Sequence, residues 1–100
     1  MVMGSLSAEQ VDTVIKRHLS QIRFCYQRQL PRDPHLAGKV SVRFVIAGDG
    51  SVSLAKIHDS SLGNAEVERC MVDRFFRMTF PEPLGNGTVI VKYPFLFTPG

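Results

Sequence analysis

Residues 40–58 read VSVRFVIAGDGSVSLAKIH, and their reading decides the fold. Val40, Val42, Phe44 and Ile46 alternate with Ser41, Arg43 and Val45, the two-residue period of a strand with one buried face. Ala47-Gly48-Asp49-Gly50 follows as a tight turn, in which glycine supplies the positive φ a hairpin needs. The return strand runs from Ser51 to about His58. Its alternation holds at Val52 and Leu54, then slips to Ala55 and Ile57, which predicts a β-bulge or strand bend. An antiparallel hairpin is therefore the centre of the chain.

Outward from the hairpin, both flanks read as helices. Ser7-Ala8-Glu9-Gln10 has the form of a capping box. Behind it Val11, Val14, Ile15, Leu19, Ile22, Cys25, Tyr26 and Leu30 recur in steps of three and four. That spacing predicts one amphipathic helix of about twenty residues, ended by Pro31 and Pro34. After the hairpin, Asp59 to Gly63 reads as a turn and Asn64 as an N-cap, with Glu66 and Glu68 in the first helical turn. Val67, Cys70, Met71, Arg74, Phe75 and Met78 form the inward stripe of this second helix, with Arg74 snorkelling at its margin. Phe80-Pro81-Glu82-Pro83 ends it, and Gly85-Asn86-Gly87 bends the chain into a last strand, Thr88 to Phe97. Val89, Val91, Tyr93, Phe95 and Phe97 share one face of that strand.

The order is α-β-β-α-β, an α+β domain. If the last strand pairs with the first strand of the hairpin, every neighbour is antiparallel and the crossover keeps its usual right hand. The expected sheet has three strands in the order 2-1-3, with two helices on one face. Pro94 fits an edge strand, because proline donates nothing to a ladder.

A chain of 100 residues is one domain, and 44% hydrophobic with 21% charged residues places it among globular proteins. No apolar run approaches the roughly 20 residues of a membrane span, and no signal-peptide pattern is present. The opening MVMGS reads as an initiator and cloning remnant, so residues 1–6 are expected as a remnant or linker and 7–98 as the domain. The chain is then expected to be a piece of a longer protein. The net charge of +3 and the cluster Lys16, Arg17, Arg23, Arg28 allow a nucleic-acid footprint, but fit a solvated helix face better. Stacking of bases needs aromatics on the open sheet face, which carries Ser41, Arg43 and Lys92 instead.

Cys25 and Cys70 each sit on an inward stripe, on helices expected to be neighbours. They are either two buried thiols or a cross-link; the residues alone leave both readings open. No ligand spacing relates either cysteine to His18, His35 or His58, which argues against a metal. Mid-stripe positions likewise lack the cation and solvent access of a reactive thiol. No catalytic motif is present, and Asp49 and Asp59 read as turn residues that cap backbone N–H groups, so the reading is non-enzymatic and without a cofactor.

The feature that suggests function is KYPFLF, a long aromatic strand at a sheet edge. Lys92 and Pro94 blunt such an edge in part. The functional alternative is β-augmentation, in which an extended partner segment adds to Thr88, Val89, Ile90, Val91, Lys92, Tyr93, Phe95 and Phe97. Such an edge can also pair with itself and give a homodimer. A structural cap that binds nothing is the remaining alternative.

Taken together, Cys25-Tyr26, Gly38-Lys39-Val40, Asp49-Gly50, Ser60-Ser61, Cys70, Phe80-Pro81 and Tyr93-Pro94-Phe95 carry a resemblance. Residues 10–98 resemble the AgmX/PglI-type C-terminal domain, a TonB-like module that ends many myxobacterial envelope and gliding-motility proteins. The resemblance implies a periplasmic domain at the end of an inner-membrane-anchored protein. It implies a disulfide between Cys25 and Cys70. It further implies that the last strand engages an extended segment of an envelope or outer-membrane partner, and that an inner-membrane proton-driven motor acts through the parent protein. No nucleic acid is implied.

Overall fold

A computed structural model describes residues 1–99. Seven main elements follow in order: β1 (Val2–Met3), α1 (Ala8–Arg17), α2 (Leu19–Gln27), β2 (Gly38–Ile46), β3 (Val52–Ser60), α3 (Ala65–Phe76) and β4 (Val89–Phe97). A short 3-10 turn, Leu84–Asn86, precedes β4. The strands form one antiparallel sheet in the order β1-β4-β2-β3. The helices cover one face of it.

The hairpin stands as its alternation requires. Val40, Val42, Phe44 and Ile46 are fully buried, and the turn is closed by Ala47 donating to Ser51 O and Gly50 donating to Ala47 O. Asp49 caps it, its carboxylate accepting from both the Ser51 N–H and hydroxyl; those bonds hold Asp49 below the usual carboxylate range. Gly50 has φ +87°, and a Cβ there would sit 2.1 Å from the Phe80 carbonyl oxygen, so only glycine lets the turn dock on the segment that follows α3. The slip in β3 is a bulge at Ser53, which turns Leu54 to the open face while Val52 and Ala55 stay buried. A second bulge at His58 was not foreseen, and it carries β3 on to Ser60. Asp59 therefore lies in a strand opposite Ser41, and not in a turn as expected.

Three further expectations change. The sheet has four strands where three were expected. β4-β2-β3 is the anticipated 2-1-3 arrangement, but Val2–Met3 adds outside β4, pairing Val2 with Val91 and Met3 with Ile90. Two residues are too few to show a period, so the pattern could not reveal this strand. Residues 1–6, expected as a remnant or linker, also put Leu6 into the core. The single first helix is two: it breaks at His18, whose φ of −102° and ψ of 4° close α1 and open α2. The stripe runs on through the break because Ile15, Leu19 and Ile22 keep the helical steps on either side of it.

The helices are otherwise bounded as read. Ser7 and Gln10 form the reciprocal capping box, and Asn64 Oδ1 accepts from Val67 N at 3.0 Å. On α3 the residues that bury are Val67, Met71 and Phe75. Phe75 packs on Phe44 with ring centroids 4.7 Å apart, and Phe44 also meets Phe80 at 5.6 Å. This cluster is the centre of the core, and it ties the helix layer to the middle strand.

Candidate functional site

Along β4 the side chains and the backbone point to different places, and the site follows from that division. Val89, Val91, Phe95 and Phe97 are buried against the helices and present nothing to a partner. Phe97 stacks on Tyr26 at 4.9 Å, and Tyr93 on the same face hydrogen-bonds through its hydroxyl to the Asp12 carboxylate of α1. Asp12 also pairs with Lys16 at 2.8 Å, and these bonds, from Lys16 first and Tyr93 second, hold it below the usual carboxylate range. Burial, followed by the bond to Asp12, pushes Tyr93 up to about 12. Ile90, Lys92, Pro94 and Leu96 turn to the open face of the sheet. Thr88 is exposed just ahead of the strand.

What remains for a partner strand is the outer backbone edge. Lys92 exchanges both of its main-chain bonds with Met1, one at 2.9 Å and one at 3.0 Å. The antiparallel ladder alternates, so Ile90, Pro94 and Leu96 turn their backbone groups the same way, away from β2. β1 covers Ile90 and Lys92. Beyond it the edge offers the Pro94 carbonyl and the Leu96 N–H and carbonyl, the proline having no donor to leave unpaired. A pocket of about 330 Å³ adjoins this stretch, lined by Arg23, Tyr26, Gln27, Leu96, Phe97 and Thr98. Of the residues expected to bind a partner, Val89, Val91, Tyr93, Phe95 and Phe97 face the helices, Ile90 and Lys92 lie on the open face and Thr88 precedes the strand; the backbone ledge at Pro94 and Leu96 was not among them.

The opposite edge of the sheet holds a larger groove that sequence reading missed. It has a volume of about 600 Å³ and lies between β3 and α3, with Ala55, Ile57, Val72 and Phe76 as its apolar lining. Its signal was a second apolar pair on α3: Val72 and Phe76 each follow a core residue by one position, and Phe76 is half-exposed. β3 is less suited to receive a strand, because two bulges and Lys56 interrupt its edge.

Cys25 and Cys70 are joined by a disulfide that links α2 to α3, with Cα atoms 5.6 Å apart, inside the usual range. Cys25 is fully buried, whereas Cys70 lies on the flank of α3 facing α2 and is only partly covered. Beside it, Gln29 donates to Glu66 at 2.8 Å and Ser60 to Glu68 at 3.0 Å, so both carboxylates bind α3 to its neighbours and are more than solvated helix residues.

No family model and no curated protein matches the chain. Among solved structures it is similar to the C-terminal domain of TonB from Helicobacter pylori, determined by NMR in solution. The TM-score is 0.58 at 20% identity, and the match covers 98% of each chain. The fold is that of a TonB C-terminal domain.

Proposed function

We propose that the chain is a non-enzymatic periplasmic interaction domain that takes up an extended partner segment at the outer edge of β4. The observation that carries this reading is β1: Val2–Met3, with Met1 bonded to Lys92 ahead of it, already adds to that edge as an antiparallel strand. An edge that accepts Met1–Met3 in cis has the geometry to accept a longer strand in trans, either continuing past β1 along Pro94–Leu96 or replacing it. The disulfide suits an oxidising compartment such as the periplasm. The likeness to a TonB C-terminal domain supports the same location and use. In this reading the parent protein is anchored in the inner membrane, where a proton-driven motor acts through it. The domain passes force to an envelope partner, as in gliding motility.

The test uses extended peptides selected from a random phage-displayed library against the immobilised domain, followed by NMR of the labelled protein. Bound peptide is expected to shift the amides of Ile90, Lys92 and Leu96. Leu96→Pro removes one outward donor and leaves the β2 ladder whole, so it should weaken binding by about fivefold to tenfold, the worth of one hydrogen bond. Shifts confined to the groove between β3 and α3, with Leu96→Pro binding as well as the parent, would move the site to the other edge and end this proposal.

A further inference from the structure

The face of the sheet away from the helices carries a pattern that exists only in the register. Arg43 of β2 stands directly opposite Lys56 of β3 on one side and Lys92 of β4 on the other. Three cations thus lie in one row across three strands. In the adjoining row Val45 stands opposite Leu54 and Ile90, and Ile90 opposite Met3. That row is apolar across all four strands, and Leu54 and Met3 are 43% and 58% exposed.

Like charges directly opposite one another destabilise a sheet. Among the described residues none of the three cations has an ion-pair partner; the pairs that form use Lys16, Arg32 and Arg77. Lys92 Nζ has an imidazole as its neighbour, His58 Nε2 at 3.4 Å. Asp59, in the next row opposite Ser41, makes no ion pair with them. The fold therefore carries a repulsive row beside an exposed apolar one, and an anionic partner would relieve the first while covering the second.

We propose that this face docks an acidic amphipathic helix of a partner protein, lying across the strands with its apolar stripe on the Val45 row and its carboxylates on the Arg43 row. The dimensions match. Neighbours in a row are one strand apart, about 4.8 Å, and helix residues three or four apart rise about 4.5–6 Å. The rows are two residues apart along each strand, about 6.7 Å, which a helix of about 10 Å diameter spans. Such a helix gives the sheet its missing second cover. A second copy of the chain suits the face poorly, since a two-fold contact would set cations against cations. An anionic bilayer would also attract the three cations but offers no apolar stripe in register with the Val45 row, and the vesicle comparison below separates the two. This surface is distinct from the β4 backbone edge and stands without it.

The experiment titrates the labelled full chain with a soluble helical peptide of about 20 residues, leucines on one stripe and glutamates flanking it. A scrambled peptide of the same composition and phosphatidylglycerol vesicles serve as comparisons. The helical peptide alone is expected to bind, shifting Arg43, Val45, Lys56 and Ile90. Lys56→Gln should weaken it about threefold and Arg43→Glu about tenfold, while Lys16→Gln on the helical side has no effect. Equal binding of the scrambled peptide, shifts elsewhere, or capture by vesicles in its place overturns the proposal. A second readout needs no peptide: Arg43→Gln removes the middle cation and should raise the thermal midpoint at low salt. A midpoint unchanged or lowered shows that the row is not repulsive and removes the basis of the argument.

Discussion

Tyr93 is the residue on the inward face of β4 with a hydroxyl to satisfy, and Asp12 satisfies it from a helix 81 positions away. Burial and this bond favour the neutral phenol, pushing it up to about 12, above the roughly 10 of an unfolded tyrosine. A group raised in this way contributes stability that is fully present below about pH 10 and is lost as pH rises through about 12. Asp12 has the opposite sign: held low by Lys16 and Tyr93, its contribution is present above the ordinary carboxylate value and fades as pH falls below it. Burial raises Tyr26 as well. Ultraviolet titration should therefore show no more than one of the two phenolates near pH 10 while the chain is folded, the other appearing only as pH rises toward about 12. Both phenolates appearing reversibly near pH 10, with circular dichroism unchanged, would refute the Tyr93–Asp12 bond.

At the scale of elements, the helix layer depends on one covalent tie. α2 and α3 are short, and the disulfide joins them above the sheet across a sequence separation of 45 residues. Closing a loop of that length removes denatured-state entropy worth about 4 kcal/mol in the chain-entropy model. The double variant Cys25→Ala, Cys70→Ala should lose about that much, read as a lower urea midpoint for the same transition. A loss below about 1 kcal/mol would mean that packing between the helices already supplies what the bond adds. The break at His18 belongs to the same scale. It lets α1 reach Tyr93 through Asp12 while α2 turns toward Phe97 through Tyr26, so each half of the first helical region packs on a different part of β4.

At the scale of the molecule, stability is graded from the middle strand outward. β2 is paired on both sides, and its four inward residues are fully buried. β1 is two residues long, with Met3 exposed. Native-state hydrogen exchange should find its slowest amides within Val40–Ile46, opening only with global unfolding. The Lys92 amide, whose acceptor is Met1, should exchange through local fraying and much faster. Equal protection at Lys92 and Phe44 would mean that β1 is an integral strand, and a partner would then have to extend it and not replace it.

Much of this architecture is local, and local structure is written in short-range pattern. The alternation of residues 40–46, the glycine turn, the slip that marks the Ser53 bulge, the caps at Ser7 and Asn64 and the order α-β-β-α-β all follow from residue spacing and turn chemistry. Even the placing of Pro94 on an outer edge followed from its missing donor. Other features depend on residues far apart in sequence that only the packed chain brings together. β1 pairs along the outer edge of β4, and on either side of the break at His18 the two halves of the first helical region meet different parts of that strand. The Tyr93–Asp12 bond and the row of Lys56, Arg43 and Lys92 likewise arise from pairing between elements. The sequence by itself determined which segments form and which faces they bury, because those depend on neighbours a few positions away. Tertiary structure alone decided which edge stays open and which charges share a row, because register is a relation between strands that no single strand encodes.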